Sequence, residues 1–178
     1  METTAKTKWG LDLAHSELTF KVKHMMISNV KGAFKNFSID VDGEDIFNSS
    51  INVSIDASSI STNNEQRDGH LKSADFFDVE NHKEITFKST SFKQTDDDEY
   101  KLKGLLSIKG ISKEVELKVE FGGINKDPWG NEKAGFSLSG KINRKDWGLN
   151  WNEALETGGV LVSEEIKISA ELQFVKQS

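Results

Sequence analysis

Residues 17–24 read Glu-Leu-Thr-Phe-Lys-Val-Lys-His. In an extended chain Leu18, Phe20, Val22 and His24 fall on one side, and Glu17, Thr19, Lys21 and Lys23 on the other. A period of two marks a strand with one buried face. The pattern returns along the chain. Val30, Gly32 and Phe34, then Phe37, Ile39 and Val41, form a second run, and its change of parity near Asn36 predicts a bulge that bends the strand. Ile51, Val53 and Ile55 give a third run, and Ile85, Phe87 and Ser89 a fourth. The fifth holds Tyr100, Leu102, Gly104, Leu106 and Ile108, and the sixth Val115, Leu117, Val119 and Phe121. Phe136, Leu138, Gly140 and Ile142 make the seventh, and Ile166, Ile168, Ala170, Leu172 and Phe174 the eighth.

Turn chemistry separates these runs. Asp96-Asp97-Asp98 reads as a charged hairpin tip, and Lys109-Gly110 as a tight turn. Asp127-Pro128-Trp129-Gly130 has the residue order of a type I turn, which keeps the lone proline out of every strand. Eight antiparallel strands with one apolar face each suit a closed barrel, which removes exposed edges; a two-sheet sandwich is the rival. The small inward residues Gly32, Ser89, Gly104, Gly140 and Ala170 leave two readings open. Either they make room for a ligand, or they mark bends where the sheet curls.

Between the third and fourth runs lies Thr62–Asp78, TNNEQRDGHLKSADFFD, the clear helical segment of the chain. Thr62-Asn63-Asn64-Glu65 fits a capping box, which starts a helix near Asn63. Arg67, His70 and Leu71 then share one face, while Asp68 and Lys72 have the spacing of an ion pair on another. Arg67 and Asp68 read either as an ion-pair network locking the helix over a barrel end, or, with His70, as the polar rim of a cavity mouth. Phe76 and Phe77 are expected to anchor the segment to the core.

The totals bound the function. At 178 residues and 19.9 kDa the chain reads as one domain over 1–178. A net charge of -6 argues against a nucleic-acid partner. Lysine and arginine are scattered among acidic residues, so a basic membrane-binding patch is not expected. There is no cysteine to supply a thiolate site. No apolar run of about 18 residues appears, so the chain is not expected to be membrane-integral. The opening METTAKTKWG lacks the apolar core of a signal peptide, which favours a cytoplasmic location, or a periplasmic one if a signal has been removed. His15, His24, His70 and His82 lack metal-ligand spacing, and Ser16, His15 and Asp12 lack a nucleophile elbow, so neither a metal nor a catalytic residue is assigned. Asn143–Gly148 closes the seventh strand, with Arg144 and Asp146 as a candidate pair. Trp147 and Trp151 are candidates to cap or line the opening, and the loop from Asn152 to Gly159 is a candidate lid.

Taken together these segments resemble the YceI-like family of lipid- or polyisoprenoid-binding proteins. The resemblance rests on Trp9-x2-Asp12-x2-His15-Ser16, Phe20-x-Val22-x-His24, Gly32-x-Phe34, Arg67-Asp68-Gly69-His70-Leu71 and Asp75-Phe76-Phe77-Asp78. It continues through Ile85-x-Phe87-x-Ser89, Gly104-x-Leu106-x-Ile108-x-Gly110 and Asn143-Arg144-x-Asp146-Trp147-Gly148. Where relatives commonly enter the fourth strand through Tyr-Pro, this chain has His82-Lys83.

The resemblance implies an all-β fold, an eight-stranded antiparallel lipocalin-like barrel with a short helical insertion between strands 3 and 4. It also implies a long isoprenoid, quinone or related amphiphile bound in an apolar tunnel, with no other cofactor, and a possible homodimer. The expected tunnel wall holds Phe20, Val22, Phe34, Val53, Ile55 and Phe87, continued by Leu102, Leu106, Leu117, Phe136, Leu138 and Trp147. His15, Arg67 and His70 are expected near its polar end. A tail of about 40 carbons at about 0.8 kcal/mol per buried CH₂ would gain over 30 kcal/mol from water, beyond the practical ceiling of about 20. A membrane is therefore the real competitor, and the expected role is non-enzymatic carriage or storage. The alternative is an enzyme acting on an apolar isoprenoid-like substrate with His70 as acid or base.

Overall fold

The computed structural model of the chain describes residues 8–24, 27–42, 49–149 and 162–177. Its strands are β1 (Lys8–Leu11), β2 (Glu17–His24), β3 (Ser28–Phe34), β4 (Phe37–Asp42), β5 (Ser50–Asp56) and β6 (Ile60–Ser61). After helix α1 (Glu65–Lys72) come β7 (Glu84–Gln94), β8 (Glu99–Ile108), β9 (Ile111–Lys126), β10 (Glu132–Asn143) and β11 (Val162–Gln177). Pairing runs β1-β4-β5-β7-β8-β9-β10-β11, all antiparallel, and β11 returns to β1 to close the ring of eight. The rim continues from β11 through β2 and β3 to β6. Three staves are therefore broken ones: β1 with β2, β3 with β4, and β5 with β6. The bend expected near Asn36 is the second break, where the Asn36 amide donates to Ser59 Oγ at 3.1 Å.

β1 is an addition to the eight runs read from sequence. It is short, and it joins β2 through a 3-10 turn, Leu13–His15, that interrupts the alternation. Side chains repair the ladder at this break. The Asp12 amide donates to the Gln173 carbonyl at 2.8 Å, and the Gln173 amide donates to Ser16 Oγ at 2.9 Å. Ser16 Oγ in turn donates to the Asp12 carbonyl at 2.7 Å. The Trp9-x2-Asp12-x2-His15-Ser16 motif thus closes the barrel. Trp9, 8% exposed, belongs to the buried core with Ile39, Val41, Ala134 and Phe174.

Turns take the expected form. Lys109 and Gly110 both have positive φ (52° and 77°), the signature of a tight hairpin between β8 and β9. Asp127 Oδ1 accepts from the amides of Trp129 and Asn131, both at 2.9 Å. The hydroxyl of Ser89 sits at a bulge and accepts from the Ile51 amide at 2.8 Å.

The inward glycines are neither open room nor simple bends. A Cβ on Gly32 would meet the Phe20 ring at 2.3 Å, and one on Gly140 would meet Leu117 Cδ2 at 2.4 Å. At Gly104 it would meet the Lys88 carbonyl oxygen at 2.3 Å and the Phe87 ring at 2.5 Å. Large neighbours lie across these positions, so the interior volume comes from elsewhere. Gly69, inside α1, has nothing within 4 Å of a built Cβ. Gly104→Ala is therefore expected to cost about 1–3 kcal/mol, because the backbone carbonyl cannot yield. Gly69→Ala is expected to add about 0.5–1 kcal/mol by helix propensity alone. Urea unfolding of both variants checks the contrast, and equal effects would overturn the account of Gly104.

Candidate functional site

Inside the barrel are two adjoining apolar chambers. The outer one encloses about 520 Å³ beneath α1, and the inner one about 140 Å³. Leu18, Ile55, Leu106 and Ile168 line both and stand between them as a waist of side chains. The inner wall is entirely apolar, with Val53, Phe87, Leu102, Leu117, Phe136 and Leu138 among its members. Phe20, Val22 and Phe34 line the outer chamber, where Arg67 and His70 of α1 and Arg144 also face the cavity.

The lid over the outer chamber is built from hydrogen bonds rather than burial. α1 buries no residue. Its N-cap is Asn64, whose Oδ1 accepts from the Arg67 amide at 3.0 Å. This corrects the capping box expected at Thr62, because Asn63 takes a left-handed conformation (φ 62°) and delays the helix. Thr62 serves as a latch. Its hydroxyl donates to Asp68 Oδ1 at 2.5 Å and accepts from Arg67 Nε at 2.7 Å, while Arg67 Nη2 donates to the Thr62 carbonyl at 2.8 Å. The expected direct pairing of Arg67 with Asp68 is thus replaced by a bridge through a buried threonine, and Asp68 turns to Thr62 rather than to Lys72. Past the helix, Phe77 meets Phe34 edge-on at 5.9 Å, and Phe34 packs on Phe20 at 5.7 Å. That aromatic series ties the lid to the ring that covers Gly32.

The motif expectations are met by comparison with known proteins. The YceI-like domain model matches residues 9–174. The chain belongs to the YceI-like family. The UPF0312 protein of Staphylococcus epidermidis is 42% identical over 171 residues, which span 94% of this chain and 97% of that relative. The solved YceI protein of Campylobacter jejuni is 34% identical and superposes with a TM-score of 0.74 over 100% of both chains. A polyisoprenoid binding domain from Saccharophagus degradans shares the fold at 13% identity, with a TM-score of 0.71 over 96% of this chain and 99% of its own.

In this YceI-like chain two expected site residues stand apart from the cavity walls. His15 lies on the exposed 3-10 turn before β2, where its Nδ1 is 2.7 Å from Asp12 Oδ2. That hydrogen bond, with Lys133 nearby, holds the Asp12 carboxyl below its ordinary range. His15 therefore belongs to the closure motif. Trp147 is 2% exposed and donates from Nε1 to the Leu106 carbonyl at 2.8 Å, so it packs behind the wall instead of forming it. Trp151 and the loop 152–159 lie outside the described residues.

Arg144 is the group that sequence reasoning misplaced. It was paired with Asp146, which is exposed; instead its guanidinium is 1% exposed and donates to the carbonyls of Leu149 (2.6 Å), Ser163 (2.9 Å) and Val162 (3.2 Å). Burial lowers its pKa, and Glu164 opposes that shift. The signal was available: the count that turns Ile142 inward also turns Arg144 inward. It pins the start of β11 to the end of β10 while leaving a cation beside an apolar chamber. His70 Nε2 lies 2.9 Å from Asp75 Oδ2, and its ring meets Phe76 edge-on at 5.3 Å.

Thr62→Val removes the latch hydroxyl and is expected to cost about 1–3 kcal/mol locally. Hydrogen exchange should then speed up in α1 while the barrel amides stay protected; unchanged exchange in α1 would rule the latch out. Arg144→Met leaves three carbonyls without their donor and is expected to lower stability by about 2–4 kcal/mol in urea titrations. A loss within error would show that other groups hold the β10–β11 junction.

Proposed function

We propose that this protein binds, and carries or stores, a long-chain isoprenoid, quinone or related amphiphilic lipid without chemically changing it. The observation that carries this reading is the gradient of polarity across two adjoining chambers. The inner chamber offers only hydrocarbon, and charged and amide side chains gather where α1 and the end of β10 meet the outer chamber. A cavity of about 150 Å³ holds one benzene ring, so the two chambers together take a chain of about 25 carbons, some 20 outside the waist and some 6 beyond it. A longer tail must leave its remainder at the mouth. The head then sits beside Arg67, His70 and Arg144, where the guanidinium charges suit an oxygen-rich or anionic group. The polyisoprenoid-binding domain that shares the fold supports the same class of ligand.

Transfer from water cannot be the physiological measure, since burying about 25 carbons at about 0.8 kcal/mol each already reaches the practical affinity ceiling of about 20 kcal/mol. A bilayer already keeps the tail dry, so exchange between bilayer and barrel is close to neutral. Selectivity is left to chamber length and the few contacts at the head. A second reading, an enzyme with His70 as acid or base, draws on the His70–Asp75 contact. His70→Ala and Arg67→Ala separate the two, because an enzyme would lose turnover while keeping its lipid.

Solvent extraction of the purified protein followed by mass spectrometry is the direct test. A long-chain lipid is expected in the extract, and none there, with no uptake of an added polyprenyl quinone, would sink the proposal. Ile168→Trp fills the waist and is expected to shift the bound chains about six carbons shorter. An unchanged length distribution would show that the inner chamber takes no part.

A further inference from the structure

Strand register gathers lysines that the sequence keeps apart. Lys141 of β10 lies directly opposite Lys167 of β11, Lys167 opposite Lys21 of β2, and Lys21 opposite Lys31 of β3. Their neighbours Ile142, Ile168, Val22 and Val30 line the cavity, so all four lysines stand on the outer wall. Adjacent strands are about 4.8 Å apart, which makes this a row about 15 Å long. Like charges placed directly opposite are destabilising. Among the described residues no ion pair relieves them. The nearest acids on the same face are engaged elsewhere or one level removed: Glu116 lies 3.8 Å from Lys101 and Lys103, Glu165 pairs with Asn143, and Glu171 faces Glu17. This corrects the expectation that no basic patch forms.

Two further observations point to what meets the row. The level next to it is hydroxyl-rich, with Ser139 opposite Ser169 and Ser169 opposite Thr19. A surface groove of about 430 Å³ joins Lys21, Lys31, Lys35 and Lys167 to Thr19 and Ser169. Beyond the row, about 13 Å from Lys31 at about 3.3 Å per residue, Ile27 is 84% exposed. Cations, hydroxyls and an exposed apolar residue on one face of four strands suit the charged and apolar layers of a bilayer surface.

We propose that the outer face of β10, β11, β2 and β3 docks on an anionic lipid bilayer, with Ile27 entering the headgroup layer. The same hairpin lines the outer chamber with Val22 and Val30, so docking sets the cavity against the membrane. The delivery role rests on the reading of the cavity as a lipid site, but the docking itself does not.

Flotation of the full chain with vesicles tests it. Binding is expected to mixed phosphatidylglycerol and phosphatidylcholine vesicles and not to pure phosphatidylcholine. It should vanish as salt rises from about 0.1 M to about 1 M, where screening shortens from about 10 Å to about 3 Å. Each lysine at an anionic surface is worth roughly fivefold, so Lys21→Gln with Lys167→Gln should weaken binding about 25-fold. The same double change should raise the melting temperature or leave it alone, which separates lost docking from lost folding. Lys88→Gln with Lys126→Gln, away from the row, should shift binding by less than about twofold. Ile27→Ser should weaken binding and leave its salt dependence in place. Equal binding to both vesicle types, equal loss in the two double variants, or retention by a soluble polyanion but not by vesicles would each overturn the proposal. If docking fails while extraction still yields a lipid, the cavity reading stands and only the membrane face is wrong.

Discussion

Closure of the barrel is the constraint on which everything else depends. β11 has β10 along one edge, and its other edge must take both halves of a broken first stave, β2 and then β1. Between these halves the chain turns through Leu13–His15, and the break would leave amides and carbonyls unpaired. Ser16 and the Asp12 backbone supply the missing partners at Gln173. Once the ring closes, every inward residue has a fixed neighbour. The rings of Phe20 and Phe87 then lie over Gly32 and Gly104, and the cavity is left as what those neighbours do not fill.

The cavity combines two kinds of wall. Toward the closed end, packing excludes polar groups and narrows the space at Leu18, Ile55, Leu106 and Ile168. Toward the mouth, polar groups are held by backbone atoms: Arg144 by three carbonyls, and Arg67 by the carbonyl and hydroxyl of Thr62. Neutral carbonyls orient these guanidinium groups, and Glu164 acts on Arg144 across a short distance, so the mouth of the chamber is polar and charged while its far end is hydrocarbon alone.

Much of the architecture was legible because a strand with one buried face writes its period directly into the chain. All eight staves and the bend at Asn36 follow from that alone. β1 escaped notice because four residues including Gly10 carry too little pattern. The glycines were ambiguous because whether a gap is filled depends on the residue across the strand, which local sequence does not contain. Arg144 is concealed by its type: charged residues are rarely buried, although the alternation that turns Ile142 inward reaches it as well. The helix start moved because Asn63 accepts a left-handed turn, and a capping box does not reveal backbone handedness. The lysine row was out of reach for the same reason as the glycines, since it exists only in the register of four strands.

The helix that covers the mouth buries no residue of its own. Unwinding α1 while the Phe77–Phe34 contact holds would expose little apolar surface, so this opening would carry only a small heat-capacity change and a small sensitivity to denaturant. Calorimetry and chemical unfolding would then report the barrel alone, and a protein whose lid is mostly open would melt like one whose lid is shut. Lid opening and global stability are thereby separate quantities in this fold, free to vary independently of each other.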